Sequence, residues 1–175
     1  MSQTDPLEPA KTSLSAPSLE KQHKRLTDAA LTRRTAWLLS LAGAIPFLAL
    51  SFAVFGLEKI HPLHGLAQDA LKTYGAVILS FLGGIRWGLA MRSQDPETGR
   101  NVFVLAVIPS LVGWFAIFLP VPYVYGILAL GFAAQGAWDS FAAQNGVFGL
   151  WFAKLRMTIT AIVVACMVIA FFGTV

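Results

Sequence analysis

Residues 74–88 read YGAVILSFLGGIRWG. The stretch is apolar, rich in small side chains, and carries one arginine, Arg86. In lipid such a run takes the form of a helix, because every backbone N–H and C=O is then satisfied within the segment. A charge inside it is costly and marks either a polar centre or a side chain that snorkels to the headgroups. Working outward from this stretch, the chain reads as an all-α membrane protein. It is expected to be a bundle of five transmembrane helices, with a short amphipathic helix before the second span.

The 175 residues are 56% hydrophobic and 13% charged, against about 25% charged in soluble domains. From Asn101 to Trp138 there is no Asp, Glu, Lys or Arg, a run that suits a pair of membrane spans. The net charge of +4 sits on residues flanking apolar runs, as the positive-inside rule requires. It therefore points to the lipid bilayer rather than to nucleic acid. Cys166 is the single cysteine, which excludes an intrachain disulfide and a cysteine-based metal cluster.

Residues 1–34 form a cytoplasmic tail. Its first 17 residues, rich in Ser, Thr and Pro, lack apolar periodicity and read as disordered. Residues 18–34 suit a short helix capped by Ser18 after Pro17. The membrane domain occupies 35–175, with spans at 36–57, 73–91, 102–119, 121–138 and 157–175. The first apolar run starts too late and runs too long for a signal peptide, so it is expected to stay as an uncleaved span. Its 22 uncharged residues suffice to cross a hydrocarbon core of about 30 Å. Pro46 and Pro109 should kink the first and third spans, and Pro120-Val-Pro122 is a tight turn. Asp139 is expected to stop the fourth span, and Asn145-Gly146 to turn the connector after it. Between the first two spans, Leu63, Leu66, Ala67, Ala70, Leu71 and Tyr74 fall on one helical face. That helix is expected to lie on the membrane surface or to run straight into the second span.

Basic residues set the orientation. With the N-terminus inside, the inner side holds Lys11, Lys21, Lys24, Arg25, Arg33, Arg34, Arg92, Arg100, Lys154 and Arg156, and the outer side only Lys59 and Lys72. The C-terminus is then outside. A bacterial inner (plasma) membrane is the expected location, with an organellar inner membrane as the alternative.

Arg86 lies six residues before Arg92, about 9 Å deeper than the inner boundary. It either snorkels beside Trp87 or turns inward to pair with an acid. The candidate acid is Asp139, at the inner end of the fourth span, with Gln135 one turn earlier on the same face. On the opposite face of the second span, Ala76, Ser80, Gly84 and Gly88 form a small-residue stripe that suits close helix packing. His61 and His64 are expected to be solvated loop residues, too few to hold a metal without further ligands. Trp37, Trp87, Trp138 and Trp151 read as an aromatic belt. Phosphate loops, HExxH, nucleophile elbows and CxxC pairs are missing from the sequence. No catalytic activity, cofactor or metal is expected.

Four segments carry a resemblance: LAGAIPF at 41–47, YGAVILSFLGGIRWG at 74–88, IPSLVGW at 108–114, and WDSF…LWFAKLRMTIT from Trp138 to Thr160. In this order they resemble the uncharacterised membrane-protein family that includes transmembrane protein 69. Where that family carries a proline and a tyrosine, this chain has Leu150 and Phe152. The resemblance implies a multi-span protein of a bacterial inner or organellar membrane. It also implies that Arg86, Asp139 and Arg156 belong to one shared pattern, which favours an inward-facing cluster of these residues with Gln135. It implies no activity. The expected role is structural or accessory to a membrane complex, through a membrane-protein partner. The alternative is a small transporter or channel with an Arg86–Asp139 polar centre.

Overall fold

A computed structural model describes residues 16–91, 96–144 and 149–175, with the backbone alone described at 16–24, 26, 89, 96–99, 144 and 150. Among the described residues every regular element is an α-helix: α1 (Ala16–Gly56), α2 (Pro62–Ala90), α3 (Pro96–Ala116), α4 (Tyr123–Gln144) and α5 (Leu150–Thr174). The chain divides into two compact units, one ending at Leu39 and the other running from Ser40 to Val175. In the first, Thr32 and Thr35 donate back to the carbonyls of Asp28 and Leu31, as helical Ser and Thr do when no other acceptor competes.

Several boundaries differ from the sequence reading, each for a local reason. α1 starts at Ala16 and passes without a break into the first apolar run, so Ser18 lies inside a helix rather than capping one. α2 is one helix of 29 residues, so the amphipathic segment runs straight into the apolar one. α4 continues past Asp139 to Gln144, because a polar side chain that finds a partner does not end a helix. α5 begins at Leu150, about two turns before the expected start. The turn at Pro120–Pro122 is present, closed by Tyr125 N–H donating to the Pro122 carbonyl, and its Val121–Pro122 bond is cis. The disordered stretch assigned to the N-terminus falls largely outside the described residues, as do Arg92 and the Asn145-Gly146 turn.

The core of the second unit is apolar: Phe47 and Val54 from α1, Leu71 and Leu79 from α2, Leu128 and Phe132 from α4, and Val163 and Met167 from α5. Phe47 stacks at an angle on Tyr74 and meets Phe132 edge-on. The Tyr74 hydroxyl donates to the Gly43 carbonyl at 2.9 Å. On each helix the buried residues recur at three- and four-residue steps, the signature of a single inward stripe.

The outward faces are as apolar as the inward ones. Leu38, Ile45 and Phe52 on α1, Val77 and Phe81 on α2, Leu111 and Trp114 on α3, Leu130 on α4, and Val168 and Phe172 on α5 are all exposed. Exposed apolar surface repeated around a molecule marks contact with lipid or with another protein. By length and composition, two stretches among the described residues are apolar enough to cross a membrane, Thr27–Gly56 and Trp151–Thr174, and Arg100–Ala116 is a shorter apolar helix. This corrects the expectation of five transmembrane helices: by this measure two of the described helices are long and apolar enough to span. α2 interrupts its run with Arg86, and α4 with Gln135 and Asp139.

Candidate functional site

On α2, α4 and α5 the inward stripe carries a charged residue toward the same end of the unit. On α2 it runs Leu71, Leu79, Leu82, Arg86, on α4 Leu128, Phe132, Gln135, Asp139, and on α5 Arg156, Val163, Met167, Ala170. Steps of three, four, seven or eight residues keep one helical face. The helices that pack the core therefore also deliver Arg86, Asp139 and Arg156 to one place.

There the three charges interlock. Arg86 Nη2 donates to Asp139 Oδ1 at 2.7 Å, and Arg156 Nε donates to Asp139 Oδ2 at 2.7 Å. Arg86 retains 4% of its surface, Asp139 5% and Arg156 7%, so neither arginine snorkels. The Arg86 guanidinium also lies over the Trp138 ring, 4.3 Å from its centroid. Trp138 thus contacts a cation across its face, a role beyond the belt position expected for it. Pairs this short, held by charge on both sides, are the strong kind of hydrogen bond. In a low-dielectric setting they offset part of the large desolvation cost of three ions.

Both carboxylate oxygens are occupied, yet Arg86 Nε, Arg156 Nη2 and Gln135 Nε2 are buried without a hydrogen-bond partner. Gln135 shares the face of Asp139 but bonds to none of the three ions through its amide nitrogen. It lines a cavity of about 150 Å³ between α3 and α4, with Trp138, Pro109 and Val112 among its walls.

The small-residue stripe on α2 packs differently from its expectation. Ala76 is buried, and its backbone lies so close to α3 that a Cβ on Gly113 would sit 2.9 Å from the Ala76 carbonyl oxygen. Ser80 is half-buried and donates to that same carbonyl. Gly84 is exposed, and a Cβ on Gly84 or Gly88 would meet nothing within 4 Å. The tight glycine is instead Gly83, where a Cβ would lie 2.5 Å from the Ala106 carbonyl oxygen. The reason is the helical period: twelve residues from Ala76 to Gly88 rotate the face by about 120°, whereas seven residues from Ala76 to Gly83 rotate it by only about 20°.

The other end of α2 holds a second polar group. His64 is buried, not solvated, and its Nε2 lies 2.9 Å from Gln68 Nε2 while Nδ1 has no partner. Tyr125, fully buried on α4, donates to the Gln68 carbonyl at 3.5 Å. His61 is exposed, and its Nδ1 accepts the Leu63 N–H at the start of α2. Leu63 and Leu66, expected on the apolar face, are 54% and 64% exposed. The buried face is His64, Ala67 and Leu71, one position round, because the deeper part of α2 fixes its rotation. Among the described residues no three His, Cys, Asp or Glu side chains group to hold a metal.

The sequence reading reaches Arg156 as a member of this cluster only through the family resemblance, and it misses Trp138 and His64. Arg156 stands seven residues before Val163, and His64 seven before Leu71. That interval was the available signal.

A family described as "Protein of unknown function (DUF3429)" matches residues 32–172. Transmembrane protein 69 of Xenopus tropicalis is 33% identical over 140 residues, covering 77% of this chain and 53% of that protein. Transmembrane protein 69 of Mus musculus is 31% identical over 134 residues, covering 74% of this chain and 52% of that protein. The chain thus spans about half the length of these curated relatives. No solved structure matches it.

Proposed function

Because the chain belongs to the DUF3429 family of transmembrane proteins, whose molecular function is unknown, we propose that it is a non-enzymatic five-span membrane protein that stabilises or helps assemble a membrane complex. The observation that carries this reading is the closed polar centre. Arg86, Asp139 and Arg156 are each more than nine-tenths buried, and the cavity that Trp138 and Gln135 line is largely apolar and is not lined by Arg86. Leu79, Leu128, Phe132 and Met167 fill the core between this end and the His64 end. A conduction path would line that interval with polar groups or water. A helix clamp is better served by packed side chains.

Five spans are supported by helix length and by surface. The shortest helix, α3, has 21 residues, about 32 Å at 1.5 Å per residue, and apolar side chains face outward on all five helices. Arg86 and Asp139, which interrupt the apolar runs of α2 and α4, face inward, where lipid does not meet them. The basic-residue count supports an orientation with the N-terminus and the Arg86 end on the inner side, and a bacterial plasma membrane is the first reading of location. The relatives named above are vertebrate proteins, so an organellar inner membrane is the second reading of location.

Extraction of the tagged protein in mild detergent, followed by mass spectrometry, tests the role. A stoichiometric membrane-protein partner is the expected result. If Arg86→Gln and Asp139→Asn fold normally, keep that partner and lose one ion or solute flux, the protein is a transporter and the accessory reading is wrong. A reporter fused after Val175 should be active only on the outer side.

A further inference from the structure

Two guanidiniums share one carboxylate at the Arg86 end, which leaves one net positive charge buried there. The centre is also short of acceptors. Both oxygens of Asp139 are engaged, while Arg86 Nε, Arg156 Nη2 and Gln135 Nε2 are buried donors without partners. Among the other acids of this unit whose side chains are described, Glu58 and Asp69 lie just before or within the opposite end of α2. A buried charge without a counter-ion is strongly disfavoured, and each orphaned donor adds to that. Both deficits are met by the same object, a group with a negative charge and several acceptor oxygens.

We infer that the Arg86–Arg156–Gln135 centre binds an oxyanion of phosphate chemistry. Arginine forks match phosphate oxygens, and a tetrahedral oxyanion accepts from donors on separate side chains at once. A carbonyl ligand would satisfy the amide of Gln135 but would leave the net charge in place. The phosphate has two possible sources, the headgroup of an anionic phospholipid and free inorganic phosphate. Basic pockets between membrane helices on the inner side take lipid headgroups of this kind. The lipid source rests on the membrane reading above, and the binding chemistry does not.

The test is thermal unfolding of the full chain in a neutral maltoside detergent at constant ionic strength. Phosphatidylglycerol, phosphatidylcholine, inorganic phosphate and chloride are titrated separately. A saturable rise in Tm with phosphatidylglycerol, absent with phosphatidylcholine and chloride, supports the site and assigns it to anionic lipid. An equal rise with inorganic phosphate supports the site and assigns it to the free ion. If phosphatidylglycerol and phosphate act no differently from their controls, the inference is overturned. Gln135→Leu leaves both ion pairs intact and should raise the concentration for half-maximal effect roughly tenfold, the weight of one hydrogen bond to a charged group. Arg156→Gln makes the centre neutral and should abolish the rise. An unchanged titration in Gln135→Leu, or a full rise retained in a folded Arg156→Gln, places the anion elsewhere and sinks the assignment.

Discussion

The two ends of α2 hold polar side chains at the same depth of burial but solve the problem differently. At one end Arg86 meets Asp139 and Arg156, an ionic cluster tied across three helices. At the other, His64 contacts Gln68 one turn along its own helix, and Tyr125 reaches the Gln68 carbonyl from α4. The ionic end therefore fixes which helices sit together and at what rotation, because each charge requires the others. The neutral end depends on local contacts that an apolar side chain of similar size would replace. A buried ion is strongly specifying and intolerant of losing its partner, and a buried neutral group is neither to the same degree.

The largest expected effect follows from removing the shared anion. Asp139→Asn keeps the shape but leaves two buried guanidiniums facing each other without a counter-charge. The loss should be about 3–5 kcal/mol, read as a fall in the unfolding midpoint in detergent. A loss below 1 kcal/mol would mean that the ions are hydrated and that the ends do not differ. Arg86→Gln should cost less, about 1.5–3 kcal/mol, because the Arg156–Asp139 pair remains. Adding Asp139→Asn to it should cost less than the two single losses together, since the two side chains interact directly and contacts of this kind are non-additive. Strict additivity in that cycle would break the claim that the end works as a unit.

How much of this was legible in the sequence follows the same division. The helical class, the awkward Arg86 and the choice of Asp139 over other acids follow from apolar runs, turn prolines and depth counting, all of which are local patterns. Arg156 on its own reads as a basic residue at a membrane edge, and only the family resemblance puts it in the cluster, because the expected start of α5 lies after it. Starting that helix at Leu150 turns a loop residue into the end of a buried stripe. His64 was hidden for the mirror reason. Judged by Leu63 and Leu66, the first turns of α2 seemed to face another way, and only the packing of Leu71 and Leu79 settles the rotation of a continuous helix. The stripe of small residues misled because a four-residue repeat drifts around the helix, so Gly84 and Gly88 leave the contact that Ala76 and Gly83 make.

The neutral end should tolerate an apolar replacement that the ionic end does not. His64→Leu removes a ring whose Nδ1 has no partner and frees Gln68, which is only half-buried and can turn to water. The unfolding midpoint should move by less than the equivalent of about 1 kcal/mol, in either direction. A loss as large as that of Asp139→Asn would show that His64 carries an interaction comparable with the ion cluster, and the contrast between the ends would collapse.

Tyr125→Phe is the finest probe, with an expected loss of no more than about 0.5 kcal/mol. The Tyr125 hydroxyl reaches the Gln68 carbonyl at 3.5 Å, the outer limit of a useful hydrogen bond, where the attraction has already fallen steeply. Its acceptor lies inside α2, where a helical carbonyl already receives an amide from the next turn. Removing the hydroxyl therefore orphans little. The ring itself is another matter: Tyr125 is fully buried in the core with Leu128 and Leu71, and Tyr125→Ala should cost about 3–5 kcal/mol from the cavity left behind. The ratio of the two losses measures how the neutral end is held. A small loss for phenylalanine with a large one for alanine assigns the end to packing. A large loss for phenylalanine would mean that the 3.5 Å contact tightens in the membrane into a bond that ties α2 to α4, giving this end the cross-helix character reserved here for Arg86, Asp139 and Arg156.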